Sequence, residues 1–234
     1  MHVSKLYYEG ERNEENQPSG CGRAKLVNGD RYEGTFRRGV FHGYGTLSQK
    51  TGHRFDGNFR KGHKHGRGCQ RYPDGSRYDG DWSRGVRHGY GVYRYANQDV
   101  YKGNWCFGQK HGVGIYVFAE SGLRLKGAWN AGSLEGPVVL SLGDVKVHGT
   151  WSATSGGLLE TAESVFNFGC KYLLRGTMKR GVFDEYVWWP TALELYRLAS
   201  LPPEPLPVSI PFMDCRSSSP SDNGDGNESF KCLV

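Results

Sequence analysis

The composition of the chain argues against an ordinary compact globule. Glycine supplies 35 of the 234 residues and aromatic residues make up 13%, whereas all hydrophobic types together reach only 37%. The net charge of +6 permits an acidic protein, an anionic membrane or a nucleic acid as partner and does not choose among them. The longest apolar run, residues 138–142, is far shorter than the roughly 20 residues that a transmembrane helix needs. These values exclude a membrane-spanning helical protein.

The cysteines give a first indication of the compartment. Six cysteines are scattered along the chain without a CxxC pair, and the first residues lack the apolar stretch of a secretory signal. We therefore expect reduced thiols and a cytoplasmic location.

The main signal is an internal repeat of the form aromatic, any residue, glycine, any residue, aromatic. Its first positions, 32, 55, 78 and 101, lie 23 residues apart. A weaker copy begins at Leu125. The residues that define the repeat, and that we expect to line a groove, are Tyr32, Gly34, Phe36, Phe55, Gly57, Phe59, Tyr78, Gly80, Trp82, Tyr101, Gly103, Trp105, Gly127 and Trp129.

A second motif, His-Gly-x-Gly, keeps the same period and begins at residues 42, 65, 88 and 111. Alternation along each short segment places Tyr78, Gly80 and Trp82 on one face and Asp79 and Asp81 on the other. Each unit therefore predicts a two-stranded hairpin. A glycine between two aromatic residues lets a ring from the neighbouring hairpin lie across bare backbone.

Turn chemistry supports the same picture. The dipeptides Asn28-Gly29, Thr51-Gly52, Asp74-Gly75 and Ser121-Gly122 lie between repeats and suit tight turns with positive φ. Within each unit we predict a longer connection, such as residues 83–88, that carries a central glycine and most of the basic residues.

The predicted fold class is all-β: an elongated, solenoid-like meander of about seven or eight stacked antiparallel hairpins over residues 1–181, with degenerate terminal units. Residues 182–212 form an aromatic and proline-rich segment that caps the array or docks a partner. Within it we predict a short helix over 191–199, with Pro190 at its first turn, followed by an extended strap. Residues 213–234 have almost no apolar content before their last few positions and are predicted to be disordered.

The repeat resembles the MORN repeat over roughly residues 8–181. The stretches YYEGERNE, RYPDGSRYDGDW, HGYGVYRYANQDVYKGNW and VFNFGC are similar to the radial spoke head MORN proteins of motile cilia. That resemblance implies stacked hairpins, a non-catalytic subunit that packs with other spoke head proteins, a location in the axoneme of cilia or flagella, and a role in ciliary or sperm motility. Members of the wider family are also proposed to contact phosphoinositides.

Enzymatic chemistry is not indicated. The recurring histidines fall about 10 Å apart on stacked hairpins, too far for one metal to join neighbours, and the glycine strings lack the following helix that a phosphate loop needs. Carboxylate pairs such as Asp79 and Asp81 repeat with the unit and fit a solvated surface. We expect no enzyme activity, no cofactor, no metal and no nucleic acid partner.

Basic and aromatic residues outside the repeat core are the candidate docking residues. They are Lys64, Arg84, Arg87 and Lys110 in the predicted loops, and Tyr186, Trp188 and Trp189 after the array. The basic set could form a positive stripe along one edge, open to an acidic protein, or could be an ordinary solvated edge. The expected partners are other spoke head proteins or a second copy of this chain. The alternative is a peripheral scaffold that binds phosphoinositides at a membrane surface.

Overall fold

The structure is a computed structural model that describes residues 5–154 and, beyond them, the strands at 157–158, 163–167, 172–180 and 186–195. Side chains are described for residues 7–154. The chain divides into two compact units, with the boundary between Ala96 and Asn97. Each unit is built from antiparallel strands, and the described residues contain no helix. The predicted all-β class is confirmed.

The first unit is an eight-stranded meander in which each strand pairs with the next one along the chain. Its strands are β1 (Lys5–Arg12), β2 (Pro18–Leu26), β3 (Arg31–Arg37), β4 (Val40–Ser48), β5 (Arg54–Arg60), β6 (His63–Arg71), β7 (Arg77–Ser83) and β8 (Val86–Arg94).

The second unit continues the same plan through β13, which pairs with both β14 and β15. Its strands are β9 (Val100–Cys106), β10 (Gln109–Val117), β11 (Arg124–Asn130), β12 (Ser133–Leu142), β13 (Val145–Ser152), β14 (Gly157–Leu158), β15 (Glu163–Asn167), β16 (Tyr172–Arg180) and β17 (Tyr186–Leu195).

Alternation along the strands separates two faces, as the sequence predicts. In β7, Tyr78 and Trp82 are 0% and 5% exposed, while Asp79 on the other face is exposed. We call the side that carries these rings the ring face and the opposite side the charged face. The ring face holds the core of each unit, and all complete copies of the aromatic motif lie on it.

The connections within hairpins are shorter than predicted. Residues 83–88 are not a long connection: β7 and β8 join through a two-residue turn in which Arg84 and Gly85 both have positive φ, +50° and +88°. This is the signature of a type I′ hairpin turn, whose twist matches that of the strands. The turn at Arg38 and Gly39 has the same form.

The His-Gly-x-Gly motif makes a bulge inside the second strand of each hairpin. Gly80 pairs with Gly91 and Trp82 with Arg87, so three residues of β8, 88–90, stand opposite the single residue Asp81 of β7. Gly89 has a φ of +66°, and the Asp81 carboxylate accepts a hydrogen bond from the Tyr90 backbone N–H at 3.0 Å. Because of the bulge, Val86 and Arg87 pair with β7 as part of strand β8 and do not belong to the loop.

The turns between repeats agree with the prediction at the glycine. Gly29, Gly52, Gly75 and Gly122 all have positive φ, between +72° and +90°. In the first of these turns, the Gly29 N–H donates to the Leu26 carbonyl at 2.9 Å. The dipeptides therefore close the hairpins as expected.

The predicted C-terminal helix is wrong over residues 191–195, which continue β17. Leu193 pairs with Leu174 and Ala192 with Arg175 of β16. These pairings cross the boundary that we predicted at residue 181. Residues 196–199 of the helix, the strap at 200–212 and the tail at 213–234 lie outside the described residues.

One of the six thiols can be compared with the expectation. Cys69 is free and half-buried, and burial raises its pKa. For the other cysteines the expectation of reduced thiols stays a prediction.

Candidate docking face

Ring-on-ring contacts give the ring face a fixed shape. Within β7, the rings of Tyr78 and Trp82 meet edge to face, with centroids 5.2 Å apart and planes at 87°. The Tyr78 hydroxyl donates to the Asp81 carbonyl at 2.9 Å, which locks the ring along the strand. The pairs at Tyr32 and at Tyr101 repeat this geometry. Edge-to-face packing is worth about 0.5–1.5 kcal/mol per pair beyond burial.

The glycines of the repeat provide room for those rings. A Cβ on Gly80 would lie 2.7 Å from the Tyr78 hydroxyl oxygen, and one on Gly91 would lie 2.5 Å from Tyr78 ring carbons. The covering ring thus belongs to the same hairpin, and the prediction that it comes from the neighbouring hairpin is wrong. The neighbour contributes an edge contact instead: Trp82 meets Phe55 of the preceding hairpin at 5.2 Å.

Three of the four predicted docking cations lie on strands and over rings. Each is paired directly across from the second aromatic residue of its repeat: Lys64 from Phe59, Arg87 from Trp82 and Lys110 from Trp105. All three are half-buried. Only Arg84 occupies a turn, where it is exposed. The prediction that all four stand in loops is therefore wrong for three of them, because the bulge shortens the loop.

The cations sit at distances typical of cation–π contacts. The Lys64 Nζ is 4.9 Å from the ring centroids of both Phe55 and Trp82. The Arg87 guanidinium carbon is 5.2 Å from the Tyr93 centroid. Such contacts contribute about 0.5–2 kcal/mol, more as the cation loses water. The ring face is therefore both aromatic and cationic.

Burial raises the free energy of the charged form of these two lysines. Desolvation lowers the pKa of Lys64 to about 8 and also lowers the pKa of Lys110. Lys64 donates a hydrogen bond to the Gln70 side-chain oxygen, and Gln70 itself is 2% exposed. A carboxylate brought by a partner would restore part of the electrostatic stabilisation that these lysines lose on burial.

The charged face pairs its own charges. Arg77 contacts Asp79 at 2.7 Å and Arg67 contacts Asp81 at 2.8 Å. Both arginine side chains are largely exposed, so each pair contributes at most about 1 kcal/mol. The carboxylates that recur in the repeat thus engage arginines, in line with the predicted solvated surface.

The described residues show no arrangement that would hold a metal ion. Over the part of the chain with described side chains, no three His, Cys, Asp or Glu residues gather into a cluster. A search of the same part for a helix long and apolar enough to cross a bilayer also finds none.

A cavity of about 320 Å³ opens on the ring face of the second unit. Its lining includes Tyr116, Phe118, Leu125, Trp129, Leu134 and Trp151. Sequence reasoning missed it, although two departures from the repeat marked the place. Position 125 has leucine where the complete copies have Tyr or Phe, and Val138 pairs with Gly127 where the earlier hairpins pair two glycines.

The aromatic docking candidates after the array can be placed only by backbone. In β17, Trp189 pairs with Thr177, Trp188 with Met178 and Tyr186 with Arg180. The side chains of these three residues lie outside the described part of the structure, so their docking role stays a prediction.

Comparison with known families supports the repeat assignment. The MORN repeat family model matches residues 32–54, 55–77, 78–100 and 101–122. These four segments, which together cover less than half of the chain, are similar to MORN repeats. Each match begins at the first aromatic residue of a complete copy and runs through one hairpin. The first three matches end at the first residue of the next strand, and the fourth ends at Gly122, in the turn before β11. MORN repeats are typical of non-catalytic structural or binding scaffolds.

Further comparisons add little. No curated protein matches the chain. Among solved structures, a point mutant of the TCP10 domain of Danio rerio CPAP is similar at 10% identity, with a TM-score of 0.40, covering 77% of this chain and 92% of that one. A likeness of that size carries no argument about function.

Proposed function

We propose that this chain is a non-enzymatic scaffold subunit of the radial spoke head in the axoneme of motile cilia or flagella, where it supports ciliary or sperm motility. The observation that carries the docking role is the ring face, on which half-buried cations lie over fixed aromatic rings. The rings themselves are buried, so the half-buried cations that lie over them are the groups that a partner would contact.

The ciliary part of the proposal has a separate support. It comes from the likeness of four sequence stretches to radial spoke head MORN proteins, together with the family match of the central repeats. The docking geometry indicates no compartment, so localisation is a necessary part of the test.

The test uses the full chain, tagged and expressed in multiciliated cells. Imaging should place it along the axoneme, and purification from isolated axonemes should recover spoke head proteins. A tagged MORN protein from another compartment serves as the control. Failure to recover any spoke protein, under conditions in which a known head subunit does so, would sink the proposal.

The phosphoinositide alternative is weakened by the position of the basic residues. Lys64 and Lys110 are half-buried over rings instead of exposed in loops, where they would meet lipid headgroups. Binding to liposomes that carry phosphoinositides, with steep loss as salt rises, would favour the alternative. We expect no binding above that to neutral liposomes.

A further inference from the structure

The cavity of the second unit arises from two coupled exchanges. In the first unit the Tyr78 ring covers the paired glycines Gly80 and Gly91 and fills that space. Leu125 in the second unit has no ring, and a Cβ on Gly127 would meet Leu134 at 2.7 Å and Val138 at 2.9 Å. Leu134 and Val138 thus cover the Gly127 backbone at the bottom of the cavity, and the volume that an aromatic ring at position 125 would fill stays open.

A cation borders this cavity. The Lys110 Nζ lies 4.1 Å from the Trp129 ring centroid and 5.3 Å from the Tyr116 centroid, and both rings line the cavity. Lys110 is half-buried, so its charge is partly desolvated. A carboxylate delivered there would interact more strongly than on an exposed surface.

The cavity also has an unsatisfied donor in its wall. The Trp129 side chain is 6% exposed, and its Nε1 has no hydrogen-bond partner among the described residues. The equivalent Trp82 Nε1 donates to the Gly68 carbonyl at 3.1 Å. A buried donor without an acceptor costs about 1–3 kcal/mol, so this indole is less well satisfied than that of Trp82.

We propose that this cavity binds an acidic linear peptide segment of a partner protein, with a leucine or phenylalanine side chain in the cavity and an adjacent carboxylate beside Lys110. A volume of about 320 Å³ accommodates an apolar side chain with part of its backbone and lies at the low end of ligand sites. The positive charge of Lys110 beside the cavity favours an acidic segment. The inference depends on the docking role of the chain and not on its ciliary location.

The test is a titration of the full chain with a synthetic, terminally blocked seven-residue peptide that has a central leucine between glutamates. Tryptophan fluorescence and calorimetry follow binding. We expect saturable binding that Lys110→Gln weakens about tenfold, which corresponds to 1.4 kcal/mol. The matched control is Lys102→Gln, which removes the same charge from an exposed position of the adjacent strand β9 and should change affinity less than about twofold.

A second variant blocks the cavity without touching the core. Ala153 lines the cavity but is exposed, and its backbone N–H donates to Glu135 at 2.8 Å, a bond that substitution preserves. Ala153→Trp should abolish peptide binding while the circular dichroism spectrum stays that of the parent chain. Replacing the peptide leucine with alanine, or its glutamates with lysines, should have the same effect.

Several results would overturn the proposal. The first is an absence of saturable binding up to about 1 mM peptide. The second is a lysine peptide that binds as tightly as the glutamate peptide, and the third is a loss of affinity with Lys102→Gln equal to that with Lys110→Gln. The fourth is a dimer, seen by sedimentation, that Ala153→Trp dissociates, which would assign the cavity to a second copy of the chain. If peptide binding fails while spoke head proteins still co-purify, only this inference falls. If the peptide binds but no spoke protein co-purifies, only the ciliary function falls.

Discussion

The substitution Gly91→Ala tests whether rings lying over bare backbone hold the hairpins together. A Cβ at this position would lie 2.5 Å from the Cε2 and Cζ atoms of the Tyr78 ring, about 1 Å inside ordinary contact. Tyr78 cannot yield freely, because it is 0% exposed and its hydroxyl is hydrogen-bonded to the Asp81 carbonyl. The φ of Gly91 does not lie in the left-handed region, so backbone strain plays no part.

The expected magnitude follows from two opposing contributions. Overpacking of this kind costs about 1–3 kcal/mol. Loss of glycine from the unfolded chain returns about 0.4–1 kcal/mol. We therefore expect Gly91→Ala to lower the free energy of unfolding by about 1–2 kcal/mol, measured as the free energy of opening from hydrogen exchange of β7 and β8.

The weaker repeat at Leu125 combines the loss of the aromatic ring with the loss of a paired glycine. Where Leu125 replaces the aromatic residue, Val138 occupies the place of the second glycine. Tyr78→Leu alone should lower the free energy of unfolding. In the Tyr78→Leu background, Gly91→Ala should cost less than in the parent chain by about 1 kcal/mol or more, and this difference is the interaction free energy of the double-mutant cycle. Gly75→Ala is the control: its Cβ would meet nothing within 4 Å and its φ is +84°, so its cost is strain that Tyr78→Leu should not relieve. A cost below about 0.5 kcal/mol for Gly91→Ala, or no relief by Tyr78→Leu, would refute the reasoning.

Three further outcomes can be measured by urea unfolding. Trp82→Ala removes a ring that is 5% exposed and should cost about 3 kcal/mol, whereas a cost below about 0.5 kcal/mol would place the ring at the surface. Arg38→Asn should raise the free energy of unfolding by about 0.5–1 kcal/mol, because Arg38 has a φ of +48° that asparagine adopts more readily. Arg38→Val should lower it, because valine tolerates a positive φ worse than arginine does. The reverse order of the two variants would contradict the turn assignment. Burial lowers the pKa of Lys64 to about 8, below about 10.4 for an unfolded lysine, so the unfolded chain binds more protons between these values and stability should rise with pH across that window. Lys64→Met should remove most of this rise, and an unchanged slope would show that Lys64 is not desolvated.

Much of the fold could be predicted because the repeat states the same pattern several times. Alternation alone assigned Tyr78 and Trp82 to one face and Asp79 to the other, and the positive φ of Gly75 followed from turn chemistry. Repetition multiplies a weak local signal, since the same residue types recur at the same place in each hairpin.

The basic residues were predicted to lie in loops because a bulge interrupts the two-residue alternation from which strand positions are predicted. Residues 83–88 contain a glycine and several polar groups, which reads as a loop. The two-residue turn at Arg84 and Gly85 and the bulge at 88–90 together return Arg87 to the strand, opposite Trp82. Nothing in the local composition reveals that register.

The helix after Pro190 was predicted from local preference alone. A proline at the first turn favours a helix, yet the segment pairs with β16 through Leu193 and Ala192. Pairing with an available strand edge outweighs helix propensity, which amounts to only fractions of a kcal/mol per residue. The cavity at Leu125 escaped notice for a different reason, because degenerate repeats were read as weakened copies and not as sites.

The central claim, that the ring face docks spoke head proteins, is tested most directly by site-specific photo-crosslinking in isolated axonemes. One photoreactive residue replaces Ser133, an exposed position in the cavity lining, and another replaces Lys102 in the first hairpin of the second unit. Mass spectrometry should find spoke head proteins joined to position 133 and few or none joined to position 102. Crosslinks to spoke proteins from position 102 alone, or from neither position, would contradict the account.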